Sequence, residues 1–104
     1  MREVTAVELS ERLRADDPPL MLDVRERWEL EAAYIDGAMH VPMGEVPAAL
    51  GALPRDREIV VVCHHGGRSF TIAMLLERAG FRAANLAGGI DAWHRDVDPT
   101  VPAY

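Results

Sequence analysis

Cys63 is the only cysteine in a chain of 104 residues, and its surroundings are those of a reactive thiol. It follows the apolar run at positions 59–62 and precedes a short loop, after which Ser69 begins a predicted helix. The N–H groups of such a loop can converge on one point. The positive end of the helix dipole and the Arg68 guanidinium both favour a thiolate over a thiol. The spacing predicts a nucleophilic cysteine beside an anion-binding loop; a buried structural cysteine is the alternative.

The loop after the cysteine supplies the other candidate binding residues, which are His64, His65, Gly66, Gly67, Arg68 and Ser69. Both glycines are expected to take positive φ angles, which a tight cradle of N–H groups requires. Both histidines are candidates for acid–base roles, since the histidine side chain as a residue type can gain or lose a proton near neutral pH. Neighbouring loop residues usually point in different directions, so at most one histidine is expected to face a bound anion. The consecutive Cys-His-His lacks the ligand spacing of a zinc site, so no metal is predicted.

Alternating helix and strand patterns surround this loop. Thr5 and Glu8 form a capping box that begins the first helix, and Gly80 is placed to end the helix that starts at Ser69. The predicted strands cover residues 20–24, 39–41, 59–62 and 84–86, and the later helices cover 26–33, 46–50, 69–79 and 90–94. The tail with its two prolines is expected to be extended. This order predicts an α/β domain with a central, mainly parallel sheet flanked by helices on both faces.

The carboxyl ends of parallel strands meet at one edge of the sheet, where open α/β folds bind their ligands. Cys63 ends the most apolar strand, Asp23 lies at the end of the first, and Gly88–Gly89 follows the last. Asp23 and Arg25 are predicted to support the site, either by positioning the loop or an anion, or as a structural ion pair. The glycines are expected to allow a close turn beside the cysteine loop, with Trp93 packed over it.

Composition narrows the classes of function. The length fits one domain over residues 1–104, and 49% hydrophobic residues suffice for a core without disulfides. A single cysteine indicates a reducing compartment, and no apolar run approaches the length of a membrane span, so a cytoplasmic location is expected. The net charge of −6 weighs against nucleic acid or an anionic membrane as partner. All 11 basic residues are arginines, which excludes a lysine Schiff base, and no cofactor is predicted.

The segment Cys63–Ser69 resembles the active-site loop of the rhodanese family, the single-domain sulfurtransferases. Further segments match the family in the same order, namely residues 22–26, residues 35–38 with Val41-Pro42, and residues 86–90 with Trp93. The resemblance covers practically the whole chain and implies the rhodanese-like fold. One departure is visible, because Ala33-Tyr34 stand where many members have Gly-His. That change is expected to affect the turn or the rim of the site and to leave activity intact.

The resemblance implies a persulfide mechanism. Cys63 would attack the outer sulfur of a small-molecule donor such as thiosulfate or a persulfide, while the loop N–H groups hold the persulfide anion and Arg68 orients the donor. An acceptor thiol, on a small molecule or a protein, would then remove the sulfur, as cyanide does in an assay, and ping-pong kinetics are expected. Without a second cysteine the chain cannot resolve the persulfide internally, so the sulfur must leave to another molecule.

Two alternatives remain open. The same fold hosts phosphatases and arsenate reductases, and the resemblance implies that phosphatase-like members carry five residues between cysteine and arginine. Here four residues separate Cys63 from Arg68, which suits a single sulfur atom better than a tetrahedral oxyanion. The other alternative is a non-catalytic rhodanese-like binding module, and the intact cysteine loop argues against it.

Overall fold

The computed structural model describes all 104 residues and places a five-stranded sheet between helices. The strands are β1 (Arg2–Val4), β2 (Leu20–Asp23), β3 (Met39–His40), β4 (Ile59–Val62) and β5 (Ala83–Leu86). The helices are α1 (Ala6–Leu13), α2 (Arg27–Ala32), α3 (Val46–Ala49), α4 (Gly67–Arg78) and α5 (Gly89–Asp96). The strand order is β1-β5-β4-β2-β3 and every pairing is parallel. The predicted α/β class with its mainly parallel sheet is confirmed.

The apolar run of β4 lies at the centre of the sheet because it is buried on both faces. Val60 and Val62 pack in one core with α1 and α5, whereas Ile59 and Val61 pack on the opposite face with α3 and α4. Successive side chains of a strand point to opposite faces, so an unbroken apolar run needs helices on both sides. This arrangement places Cys63 at the carboxyl end of a central strand, where the sheet edge is open to a ligand.

The helix ends follow local signals in the sequence. The Thr5 hydroxyl accepts the Glu8 N–H over 3.1 Å, and the Glu8 carboxylate accepts the Thr5 N–H over 3.0 Å, so the predicted capping box is confirmed. Gly80 follows the C-cap of α4 with a φ of +94°, as predicted. None of the helices combines the length and the hydropathy that crossing a bilayer requires.

The edge strand β1 has no counterpart in the sequence prediction. It pairs with β5, and only Val4 of its three residues is buried. Two exposed charged side chains leave no apolar run by which the pattern could show a strand. The register matters for the site, because it pairs Glu3 with Asn85 at the strand end next to the cysteine loop.

The C-terminal segment is folded back through a turn, so the prediction that it is extended is wrong for this part of the tail. The Val101 N–H donates to the Asp98 carbonyl over 3.1 Å, and His94 Nδ1 lies 2.5 Å from the Val101 carbonyl oxygen. These contacts bring Tyr104 against His64 of the cysteine loop. A turn of this kind depends on contacts between α5 and the tail, which the two prolines alone do not reveal.

Candidate active site

Cys63 lies beyond β4 with hydrogen-bond donors directed at its sulfur. The Gly66 N–H donates to Sγ over 3.1 Å and the Ser69 N–H over 3.4 Å. The Ser69 hydroxyl oxygen lies 3.2 Å from the same sulfur. The cysteine is 1% exposed, so a reagent must enter the loop to reach it. Converging N–H donors in a shielded loop suit a sulfur atom that carries negative charge.

The two loop glycines differ in backbone conformation. Gly66 has a φ of +107°, in the left-handed region, and this conformation directs its N–H at the Cys63 sulfur. Gly67 has no positive φ because it is already the first residue of α4, and a Cβ there would meet nothing within 4 Å. The prediction of a positive φ is therefore confirmed for Gly66 and wrong for Gly67. The helix begins earlier than Ser69 because Gly66 serves as its N-cap.

The turn after β5 supports the cysteine loop through backbone hydrogen bonds. Gly88–Gly89 has φ angles of 75° and 58°. The Ile90 N–H donates to the Cys63 carbonyl over 2.8 Å, and the Asp91 N–H donates to the His64 carbonyl over 3.1 Å. The predicted close turn beside the loop is confirmed, and the start of α5 fixes the backbone that carries the cysteine.

Arg68 is held by a buried carboxylate from α2. Its Nη1 and Nη2 donate to Glu29 Oε1 and Oε2 over 2.6 and 2.9 Å. Glu29 is 3% exposed, whereas the Arg68 side chain keeps 36% of its surface accessible. The hydrogen bonds from Arg68 are the main reason that the pKa of Glu29 is lowered to about 2, and the same pair raises the pKa of Arg68. The guanidinium is thus fixed beside the cysteine loop and still reachable from solvent.

Asp23 and Arg25 form a buried ion pair that extends to this carboxylate. Arg25 Nη2 donates to Asp23 Oδ2 over 2.8 Å, and the two residues are 0% and 1% exposed. Arg25 Nη1 donates to the Tyr104 hydroxyl over 2.8 Å, and that hydroxyl donates to Glu29 Oε2 over 2.7 Å. Burial raises the pKa of Tyr104 to about 12, so its hydroxyl keeps the hydrogen it donates. The pair is a buried ion pair, and Tyr104 and Glu29 also connect it to Arg68, so its geometry is compatible with both roles considered above.

The rings of His64 and His65 stack on each other, so the prediction that they point in different directions is wrong. Their centroids are 3.9 Å apart, and Tyr104 stacks on His64 at 3.9 Å with an angle of 7° between the rings. His64 therefore lies between two rings. Burial, followed by the neighbouring His65, lowers the pKa of His64, which favours its neutral form near pH 7. The expectation failed because Tyr104, distant in sequence, fixes the His64 ring.

The two tryptophans have different environments. Trp93 is 7% exposed and packs in the core with α1, on the opposite face of the sheet from the core that contains Cys63. The prediction that it covers the cysteine loop is therefore wrong, because α5 turns its indole toward the sheet. Trp28 is 63% exposed and meets Tyr104 edge-on with 6.2 Å between centroids. Trp28 therefore belongs to the rim of the site.

Three residues of the site were not predicted from the sequence, namely Glu29, Asn85 and Tyr104. Each reaches the cysteine loop from a distant part of the chain, by contacts that local spacing does not show. Asn85 had one usable signal, since it is the polar residue of an otherwise apolar strand. Glu29 also had one, because it completes a capping box with Glu26. Nothing in the sequence around Tyr104 indicates its place.

Glu29 makes the free energy of unfolding depend on pH in the acidic range. Its pKa is about 2 in the folded protein against an ordinary 4.5. The resulting stabilisation is complete above pH 4.5 and is lost as the pH falls towards 2. Glu29→Gln is expected to lower the free energy of unfolding at pH 7 by roughly 2 kcal/mol and to flatten its slope in that window. Urea unfolding followed by circular dichroism measures both, and the exposed Glu31→Gln is the control. Equal slopes in the two variants would contradict the prediction.

Residues 5–96 match the family model described as "Rhodanese-like domain". The "Putative sulfurtransferase YtwF" of Bacillus subtilis is 33% identical over 99 residues, which cover 95% of this chain and 96% of that protein. The "Sulfurtransferase" of Allochromatium vinosum is 34% identical over 102 residues, covering 97% and 95% of the two chains. Among solved structures, SSP1007 from Staphylococcus saprophyticus superposes with a TM-score of 0.86 at 31% identity, over 93% of this chain and 97% of that one. With its parallel sheet and its cysteine loop, the chain belongs to the rhodanese-like sulfurtransferase family.

Proposed function

We propose that this protein transfers sulfane sulfur by carrying it as a persulfide on Cys63. The observation that carries the proposal is the donor set of the loop. Two N–H groups already converge on Sγ, from Gly66 and Ser69. Other loop N–H groups donate to no protein acceptor, and these belong to His64, His65, Gly67 and Arg68. A persulfide adds one anionic sulfur beyond Sγ, and these free N–H groups are available to bind it.

In the first half-reaction, the Cys63 thiolate attacks the outer sulfur of a donor, for which thiosulfate serves as the test substrate. A bond forms between Sγ and that sulfur, the bond between the two donor sulfurs breaks, and its electron pair leaves with sulfite. The negative charge moves from Sγ to the outer sulfur of the persulfide. An alkyl persulfide reacts in the same way, with a thiolate as the leaving group.

In the second half-reaction, a thiolate or cyanide attacks the outer sulfur and Cys63 leaves as a thiolate. Because Cys63 is the only cysteine, the acceptor is a separate molecule, either a small thiol or a cysteine of another protein. A lone thiol that must stay reduced between turnovers suits a reducing compartment such as the cytoplasm.

The test of this proposal is the rate of thiocyanate formation at varied thiosulfate and cyanide concentrations. Two separate half-reactions predict parallel lines in double-reciprocal plots. Lines that intersect would contradict a persulfide intermediate. Hydrolysis of an aryl phosphate faster than sulfur transfer would replace the proposal with the phosphatase alternative.

Arg68 is expected to act on the donor step. Two of its five N–H groups bind Glu29, which leaves the remainder of a fixed guanidinium to bind an anion near the loop. Arg68→Ala is expected to lower kcat/KM for thiosulfate by roughly 10- to 100-fold, the range of a hydrogen bond to a charged group. The value for cyanide should change much less, since it reports the second half-reaction.

The matched control for this change is Arg78→Ala, an exposed arginine at the other end of the same helix. It should leave both kcat/KM values at the wild-type level. Equal losses for thiosulfate and cyanide in Arg68→Ala would assign Arg68 to the structure of the loop, not to donor binding. Circular dichroism of both variants shows whether the fold is retained.

A further inference from the structure

Asn85 is a buried polar residue of β5 that the mechanism above does not use. It is 2% exposed, and its Nδ2 donates to the Gly66 carbonyl over 3.1 Å and to Glu3 Oε2 over 3.2 Å. Both of these neighbours are acceptors, so this end of the amide carries the hydrogens. The Oδ1 atom consequently faces the Ser69 hydroxyl at 2.5 Å. Three contacts thus fix the orientation of the amide.

Ser69 stands between Asn85 and the reactive sulfur. Its Oγ lies 2.5 Å from Asn85 Oδ1 and 3.2 Å from Cys63 Sγ. The amide oxygen has no hydrogen, so Ser69 must use its single hydroxyl hydrogen on that contact. A Cys63 thiol can then donate its own hydrogen to Ser69 Oγ. While the cysteine is protonated, each of the three atoms Asn85 Oδ1, Ser69 Oγ and Cys63 Sγ therefore has a hydrogen-bond partner.

Ionisation of Cys63 breaks this pattern. The thiol proton leaves to solvent, and a thiolate can only accept hydrogen bonds. The Ser69 hydrogen must therefore leave Asn85 Oδ1 in order to reach Sγ. We propose that Asn85 is a positioning residue that competes with the Cys63 thiolate for the hydroxyl hydrogen of Ser69. A thiolate that is less strongly stabilised is also more nucleophilic.

The competition ends when sulfur is loaded. In a persulfide the negative charge is on the outer sulfur, and Sγ is a neutral atom bonded to Cβ and to that outer sulfur. Ser69 can then return its hydrogen to Asn85. Asn85 therefore raises the free energy of the thiolate relative to the persulfide and favours the loaded state. This consequence depends on the proposed function, whereas the competition itself depends only on the geometry.

The hydrogen bonds at the Cys63 sulfur do not come from charged side chains on the neighbouring elements. Arg68 from α4 is bound to Glu29 from α2, Glu3 from β1 lies at the far end of the Asn85 amide, and His64 stacks on Tyr104. None of them donates a hydrogen bond to Sγ. Replacing Asn85 by leucine changes none of these charges, so its effect reports on the hydrogen bond.

The experiment is the pH dependence of Cys63 alkylation by iodoacetamide in a double-mutant cycle. The four proteins are wild type, Asn85→Leu, Ser69→Ala and the double variant. Asn85→Leu is expected to lower the midpoint of the pH–rate profile by about 0.5 to 1 pH unit, because the Ser69 hydrogen is released for the thiolate. In the Ser69→Ala background the same change should move the midpoint by less than about 0.2 unit.

A purely structural role of Asn85, through its bond to the Gly66 carbonyl, predicts the same shift in both backgrounds. That result, an upward shift, or no shift in either background would overturn the inference. Should Asn85→Leu not fold cooperatively, Asn85→Ala takes its place in the cycle. Alkylation needs no sulfur donor, so a protein that shows the coupling but forms no persulfide would refute the proposed function alone. Persulfide formation without coupling would refute this inference alone.

Discussion

Cys63→Ser is expected to lower kcat/KM for sulfur transfer by more than about 10⁴-fold, because it removes the only nucleophile of the site. A serine hydroxyl in the same position accepts the same N–H groups but does not ionise near neutral pH. It also cannot form a persulfide. The rate of thiocyanate formation from thiosulfate and cyanide measures the loss directly.

The substitution should leave the fold intact, which makes the result interpretable. Cys63 is buried, and serine is nearly isosteric, so we expect a change of no more than about 1 kcal/mol in the free energy of unfolding. The control is Thr71→Ser, on an exposed position of α4 that does not touch the sulfur, and it should retain the wild-type rate. Residual transfer by Cys63→Ser at more than a few per cent of wild type would contradict the assignment of the nucleophile.

Gly89→Ala is expected to have the largest effect on stability. An added Cβ would lie 2.4 Å from the Cys63 carbonyl oxygen and 2.5 Å from that of His64. Both atoms belong to the backbone of the active-site loop, so no flexible side chain can move aside. Together with a left-handed φ of +58°, this clash is expected to lower the free energy of unfolding by about 3 kcal/mol or more.

The same variant should also lose sulfur transfer in the molecules that remain folded. The loop can relieve the clash only by moving away from α5, and a shift of about 1 Å at the reacting group is enough for a loss of about 100-fold. Gly51→Ala is the matched control, because a Cβ there meets nothing within 4 Å. The measurements are thermal unfolding and kcat/KM of both variants. Wild-type values for Gly89→Ala would show that the loop does not depend on the close approach of Gly89 to the Cys63 and His64 carbonyl groups.

The parts of the fold that local sequence determines were predictable. Residues close together in sequence determine three of these features: the capping box at Thr5, the apolar strand at residues 59–62 and the glycine after α4. The position of Cys63 beyond a central strand follows from these elements and from the parallel order of the sheet. The edge strand β1 was not predictable in this way, because its pairing with β5 is visible only in the folded chain.

The surroundings of the cysteine loop depend on contacts between distant residues. Arg68 and Glu29 are 39 positions apart, and Tyr104 and Glu29 are 75 positions apart. Such separations carry no periodicity or spacing signal, so neither the anchoring of Arg68 nor the stacking of His64 could be predicted. The prediction for Gly67 failed for a different reason, since it assumed that the helix begins at Ser69, whereas Gly66 is the N-cap and Gly67 is already helical.

The central claim is that Cys63 carries the sulfur, and the mass of the intact protein tests it most directly. The protein is incubated with thiosulfate and, in parallel, with an alkyl persulfide, then freed of small molecules and analysed by mass spectrometry. We expect a gain of one sulfur atom, located on the peptide that contains Cys63, absent in Cys63→Ser and removed by cyanide. An unchanged mass with both donors, or a gain of sulfur that persists in Cys63→Ser, would contradict the claim.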